Sequence, residues 1–221
     1  MKQLILFLPT FYSIMVFGQS VKKNNPNDFI PQGHKLFERV NGDLNKDGVE
    51  DCILIIKATD KSNIVTVEGQ GEVDRNPRGI IILFNKNGKY ELVLNNYNCF
   101  SSENEDGGVY FPPELSFSIK KGNLYISYGH GRYGFWKYTF RFKTTDFELI
   151  GYDSSENNGP IVNSETSINF LSKKKQTKVN TNDNAVGGDE VFKTTWKNIT
   201  VSKLLKLSEI SNFDSLDLSG Y

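Results

Sequence analysis

The sequence predicts an all-β fold, an antiparallel sandwich or a partial propeller-like arrangement of about ten or more strands. Three observations carry that expectation. Short β-branched or aromatic runs recur along most of the chain. Turn residues separate them at roughly the 8–12-residue spacing of all-β domains. No stretch of helical periodicity alternates with them, which argues against a parallel α/β sheet. A complete propeller takes about four or more four-stranded blades, a tight fit for about 200 residues.

The opening "MKQLILFLPTFYSIMVFGQS" has one basic residue, Lys2, an apolar run over 4–17, and small or polar residues at Gly18, Gln19 and Ser20. That is the layout of a signal peptide over 1–19, cut near Gly18 or Gln19. The run falls short of the roughly 20 apolar residues a membrane anchor needs, and Pro9 and Ser13 interrupt it. No cysteine follows it, which argues against lipid anchoring. A periplasmic or secreted protein is expected. Residues 20–33 are polar and carry two prolines, so they read as a flexible lead-in, and 34–221 as a single β-rich domain.

"CILIIK" and "GIIILF" are apolar on both faces, as strands covered on both sides should be. "NKNG" at 85–88 is a hairpin turn, because Asn and Gly tolerate positive φ. Leu115, Phe117 and Ile119 alternate with polar residues, and after a turn at 121–123 the chain returns through Leu124, Ile126 and Tyr128. Trp136, Tyr138, Phe140 and Phe142 share one face of the next strand, which makes Trp136 a core residue rather than a sugar platform. "FELIGYD", "SINFLS" and "VFKTTWKNITV" are further strands, and "SKKKQTK" reads as a solvated hairpin end. Only "SKLLKLSEI" carries a weak helical pattern.

The chain has 26 basic and 26 acidic side chains and a formal net charge of zero. A nucleic-acid partner is therefore disfavoured, since it calls for a basic surface. No second long apolar run follows the first, so no membrane span is expected in the mature chain. The partner expected is an envelope protein or a glycan.

The stretch richest in chemistry is "NGDLNKDGVEDCILIIK". Asp43, Asn45 and Asp47 present oxygens at alternate positions, Gly48 permits a sharp bend, the Val49 carbonyl can add a fifth donor, and Asp51 closes at the ninth position. A hard cation such as Ca2+ takes six to eight such oxygens. An EF-hand needs a bidentate Glu at the twelfth position, but Leu54 stands there. The segment "GDLNKDGVEDCILII" resembles the calcium loop of FG-GAP/VCBS repeats, which also ends in Asp followed by an apolar strand. The resemblance implies a structural calcium at a strand entry and covers about fifteen residues, once. The residues also allow an Asx-rich turn that binds nothing. The region "GGVYFPPELSFSIKKGNLYISYGHG" and "FELIGYD" are similar to uncharacterised secreted bacterial β-rich proteins, which implies no particular activity.

The expected function is thus an exported, calcium-stabilised binding or structural module without catalysis. The alternative is a glycan hydrolase using Glu103, Glu105 and Asp106, since paired carboxylates serve that reaction. "GHGRYG" reads G-x-G-x-x-G, but an aromatic strand follows where a dinucleotide site needs a helix. His130, Arg132 and Tyr133 there form at most a recognition rim. The two histidines, His34 and His130, lie outside any nucleophile-elbow context. Cys52 and Cys99 either pair as a disulfide across a long loop or remain two buried thiols.

Overall fold

The computed structural model describes residues 21–104 and 112–221. The signal-peptide segment, Glu105 and Asp106 lie outside them. Fourteen strands are described, every pair antiparallel. Strands β1 (Lys22–Lys23), β2 (His34–Gly42), β3 (Asp51–Ala58), β6 (Arg78–Lys86) and β7 (Lys89–Phe100) form one sheet in the order β1-β7-β6-β3-β2. Between β3 and β6, strands β4 (Ile64–Val67) and β5 (Gly71–Asp74) form a separate hairpin. The second sheet is a seven-stranded meander: β8 (Glu114–Lys120), β9 (Asn123–Gly129), β10 (Gly134–Lys143), β11 (Asp146–Asn158), β12 (Ile161–Asn169), β13 (Lys174–Asn180) and β14 (Phe192–Asn198). The architecture is a β-sandwich, not a propeller.

The core lies between the sheets. Ile53 and Ile55 of β3 and Ile80 and Ile82 of β6 meet Leu124, Ile126, Tyr138, Phe140, Phe147 and Leu149 of the second sheet. Trp136, Tyr138, Phe140 and Phe142 all belong to this core or pack on it, as alternation predicts, and Trp136 stacks on Tyr128 at 5.2 Å. Chain after β14 closes one side. Phe213 sits 4.9 Å from Phe100 in a stacked pair, its N–H donates to the Cys99 carbonyl at 2.9 Å, and the Asn96 side chain donates to the carbonyls of Leu207 and Ile210. The weak helical pattern there becomes one short 3-10 turn, Leu207–Glu209, because the carbonyls of Leu205, Leu207 and Ile210 accept from the Leu149 N–H and the Asn96 side chain instead of from a following helical turn.

The doubly apolar reading of "CILIIK" holds, and its physical reason is a second, smaller core. Cys52, Leu54, Ile56, Ile81 and Leu83 are fully buried on the outer face of the five-stranded sheet, under Phe29, Ile30, Tyr90 and Tyr97. The cover comes from a segment expected as a flexible lead-in. From residue 21 onward it is built into the sheet: β1 pairs with Glu91 and Tyr90, and a 3-10 turn at Pro26–Phe29 is capped by Asn25. Fully burying each such aliphatic side chain contributes about 1.5–3 kcal/mol, which explains why a polar, proline-bearing segment is held down. Cys52 faces this small core and Cys99 the main one, on opposite faces of the same sheet, so both are free thiols.

Candidate metal loop

The loop at 43–51 joins β2 to β3. Its turns follow from the residue types: Lys46 (φ 65°) and Gly48 (φ 84°) take left-handed conformations, and the Asx side chains fold back on the main chain. Asp43 accepts from the N–H groups of Lys46, Asp47 (3.2 Å) and Gly48 (3.0 Å). Asn45 accepts from the Asp47 N–H at 2.8 Å and donates to the Asp47 carboxylate at 2.9 Å. Asp47 accepts from the Val49 N–H at 2.9 Å.

Asp51 differs from the others. It is 1% exposed, and its two oxygens accept from the Leu44 N–H (2.9 Å) and the Asn85 N–H (3.0 Å). One carboxylate therefore ties the start of the loop, the start of β3 and the end of β6. Burial pushes its pKa up, against those two N–H groups, and the nearby Asp47 charge pushes the same way. In Asp47 the Val49 N–H and Asn45 amide hold the pKa below the usual carboxylate range, helped by Lys86 at 3.7 Å.

The donor set suits a hard cation: three carboxylates, an amide oxygen and the Val49 carbonyl. A carboxylate offers about four lone-pair positions. The three N–H groups on Asp43 and the two on Asp51 leave some open. Among the described residues, no three His, Cys, Asp or Glu side chains are grouped closely enough to hold a metal ion. Calcium binding here therefore requires Asp43 and Asp47 to turn toward one point from the N–H groups they now accept.

The other candidate loops lie at the far end of the sandwich. The register puts the 43–51 loop beside the β6–β7 turn and the β8–β9 turn, where a Cβ on Gly122 would meet the Lys46 side chain. Residues 101–104 follow Phe100, which pairs with Arg78, opposite Lys57 near the other end of β3. Gly129 pairs with Glu114, so the 129–134 connection starts from the corresponding end of the second sheet. Eight residues of β3 separate the two ends, roughly 25 Å at about 3.3 Å per residue.

Glu103, one of the acids of the hydrolase alternative, is engaged as a counter-ion. Its Oε1 accepts from the Lys57 ammonium at 2.6 Å. Lys57 is 1% exposed and also reaches the Asp74 carbonyl (3.1 Å) and carboxylate (3.2 Å). Lys57 and Arg78 stand directly opposite each other, an arrangement that repels unless neutralised. Glu103 lies within 4.0 Å of both and Asp74 adds a second negative charge. Burial acts to raise the Asp74 pKa, but the Asn76 N–H and side-chain amide and the Lys57 ammonium lower it to about 2.

His130, Arg132 and Tyr133 line a cleft of about 590 Å³ with Pro112 and Glu114. After "GHGRYG" comes β10, with only a 3-10 turn at Gly131–Tyr133 before it, so no helix terminus is present for a pyrophosphate. Sequence reasoning passed over Lys57, Arg78, Asp74 and Asn76; the signal was a lysine closing the apolar run "CILIIK". It also passed over Trp196, an aromatic among polar residues, which is 66% exposed on the edge strand β14. Among the described residues, no helix is long and apolar enough to cross a membrane. No protein-family model, curated protein or solved structure matches the chain.

Proposed function

We propose that the chain is an exported β-sandwich, periplasmic or secreted, that acts as a non-catalytic binding or structural module of the bacterial cell envelope. In this reading the 43–51 loop takes one structural calcium. The observation that carries it is the tie made by Asp51. A buried carboxylate that accepts two main-chain N–H groups, its pKa pushed up by burial, joins a loop with two further carboxylates to the central strands β3 and β6. A divalent cation would offset the repulsion among Asp43, Asp47 and Asp51 and stiffen the entry to β3. The loop's resemblance to FG-GAP/VCBS calcium loops supports the same role, and so does its distance from the His130 cleft at the other end. A site so placed can brace the sandwich without meeting a ligand.

Fractionation of expressing bacteria, with intact mass and elemental analysis of the purified chain, tests the reading. A chain shortened by 18 or 19 residues in the periplasm or medium, carrying one calcium, is expected. A full-length cytoplasmic chain would overturn the export. A chain without calcium after purification in calcium buffer would overturn the loop assignment.

A further inference from the structure

The outer face of the seven-stranded sheet ends in a polar shelf with one aromatic platform. Its register aligns two cross-strand rows. Asp153, Ser167, Gln176 and Trp196 form one; Gly151, Asn169, Lys174 and Asn198 form the other. Successive residues of a strand point to opposite faces, so these rows share the face away from the core residue Ile168. Trp196, Lys174, Asn169, Ser167 and Ser172 line a cleft of about 490 Å³, within the roughly 300–1,000 Å³ of small-ligand sites.

The chemistry around the indole is uneven in charge. The carboxylate in these rows, Asp153, is neutralised by Lys137 at 3.1 Å and accepts from the Ser167 hydroxyl at 2.7 Å. Lys178 is paired with Glu165 at 2.9 Å. Among the described residues the Lys174 ammonium has no ion pair, and Lys173 adds a second positive charge in the same turn. Asn169 keeps its amide N–H₂ available, because only its oxygen is used, accepting from the Ser172 N–H at 2.9 Å.

We propose that this shelf binds a polysaccharide built of uronic-acid pyranose units. The C–H face of one ring lies on the Trp196 indole, since aromatic rings offer rigid apolar contact. The ring carboxylate pairs with Lys174 in a charge-assisted hydrogen bond, and ring hydroxyls bond to the Asn169 amide and the Ser172 hydroxyl. A protein partner fits this face less well. Protein interfaces bury about 800 Å² per partner around an apolar centre, whereas a single aromatic here stands among Ser, Asn, Gln and Lys side chains. Lysines on β14, Lys193 and Lys197, also guard its free edge against strand addition.

The site is independent of the calcium loop, so its test is run equally in calcium and in chelator. The two tryptophans separate optically: Trp136 is packed on Tyr128, and Trp196 is exposed. The full chain is titrated with galacturonate hexamer, mannuronate hexamer and cellohexaose while tryptophan emission is followed. A saturable blue shift with at least one acidic hexamer is expected, with cellohexaose at least about tenfold weaker. Trp196→Ala should remove the shift and weaken binding about tenfold or more, measured by calorimetry; Trp196→Phe should retain most of it. Lys174→Ala should abolish the preference for acidic over neutral hexamers. The proposal is overturned if neither acidic hexamer binds, if cellohexaose binds equally, or if Trp196→Ala binds normally. A concentration-dependent blue shift without sugar, with sedimentation as a dimer, would also overturn it and assign the edge to self-association.

Discussion

Replacing Asp51 with Ala separates the structural from the metal-binding role of the loop. The carboxylate is 1% exposed and satisfies two main-chain donors, Leu44 N–H and Asn85 N–H. Deleting it orphans both, at about 1–3 kcal/mol for each group kept from water. Asp51 lies at the start of β3, close to solvent, and a water entering the vacated space recovers part of that cost. A net loss of about 2–4 kcal/mol follows, or a fall of roughly 5–15 °C in the melting midpoint of a chain this size. The assay is thermal and urea unfolding in chelator, where no cation contributes. Asp47→Ala in chelator is the control; its carboxylate is exposed, and only a small shift is expected. An Asp51→Ala midpoint equal to that of the wild type would refute the reasoning, because it would show that the two donors find partners elsewhere at no cost.

Other outcomes follow from the same geometry. A Cβ on Gly79 would come within 2.1 Å of the Tyr97 carbonyl oxygen, so Gly79→Ala forces β6 and β7 apart. A destabilisation of about 1–3 kcal/mol or more is expected in urea unfolding. Cys52 and Cys99 are fully buried free thiols, and burial pushes both pKa values up. Intact mass should be unchanged by reductant, and maleimide should label both only in denaturant. The Asp74 carboxyl, lowered to about 2 in the fold, contributes stability that is complete above its unfolded value of 3.8 and lost as pH falls through about 2. Asp51 acts the other way: its raised pKa makes its contribution fullest below 3.8 and lost as pH rises through the folded value. Asp74→Asn should therefore flatten the loss of stability between about pH 4 and pH 2, read from midpoints across that range.

How much of this was legible in the sequence depended on where each residue's partner comes from. The sandwich strands announced themselves by alternation or by apolar runs, and the turns at Asn87–Gly88 and Lys121–Gly122 by residues that accept positive φ. β13 was hidden, because "KKQTKVN" lies where half-exposed strands need no apolar stripe. The β4–β5 hairpin stands outside both sheets and escaped for a similar reason. The lead-in's role was illegible because "VKKNNPNDFI" is polar up to Phe29 and Ile30, too short an apolar pair to suggest a cover; the need for one showed on the other partner, the doubly apolar β3. In the candidate loop, the spacing from Asp43 to Asp51 was readable, but one of the two N–H groups that hold the buried Asp51 comes from Asn85, thirty-four residues away. The Lys57 network was unreadable for the same cause, since Asp74 and Glu103 arrive from separate segments.

The central claim, a β-sandwich braced by one calcium at the entry to β3, is tested most directly by melting the wild-type chain in chelator and in about 1 mM calcium. At a calcium concentration about a hundredfold above the dissociation constant, binding to the folded state alone adds about 2.7 kcal/mol. That corresponds to a midpoint rise of roughly 5–10 °C, which magnesium should not reproduce and which Asp43→Ala or Asp47→Ala should abolish. Identical midpoints in calcium and chelator would contradict the account and leave the 43–51 loop as a turn closed by its own hydrogen bonds.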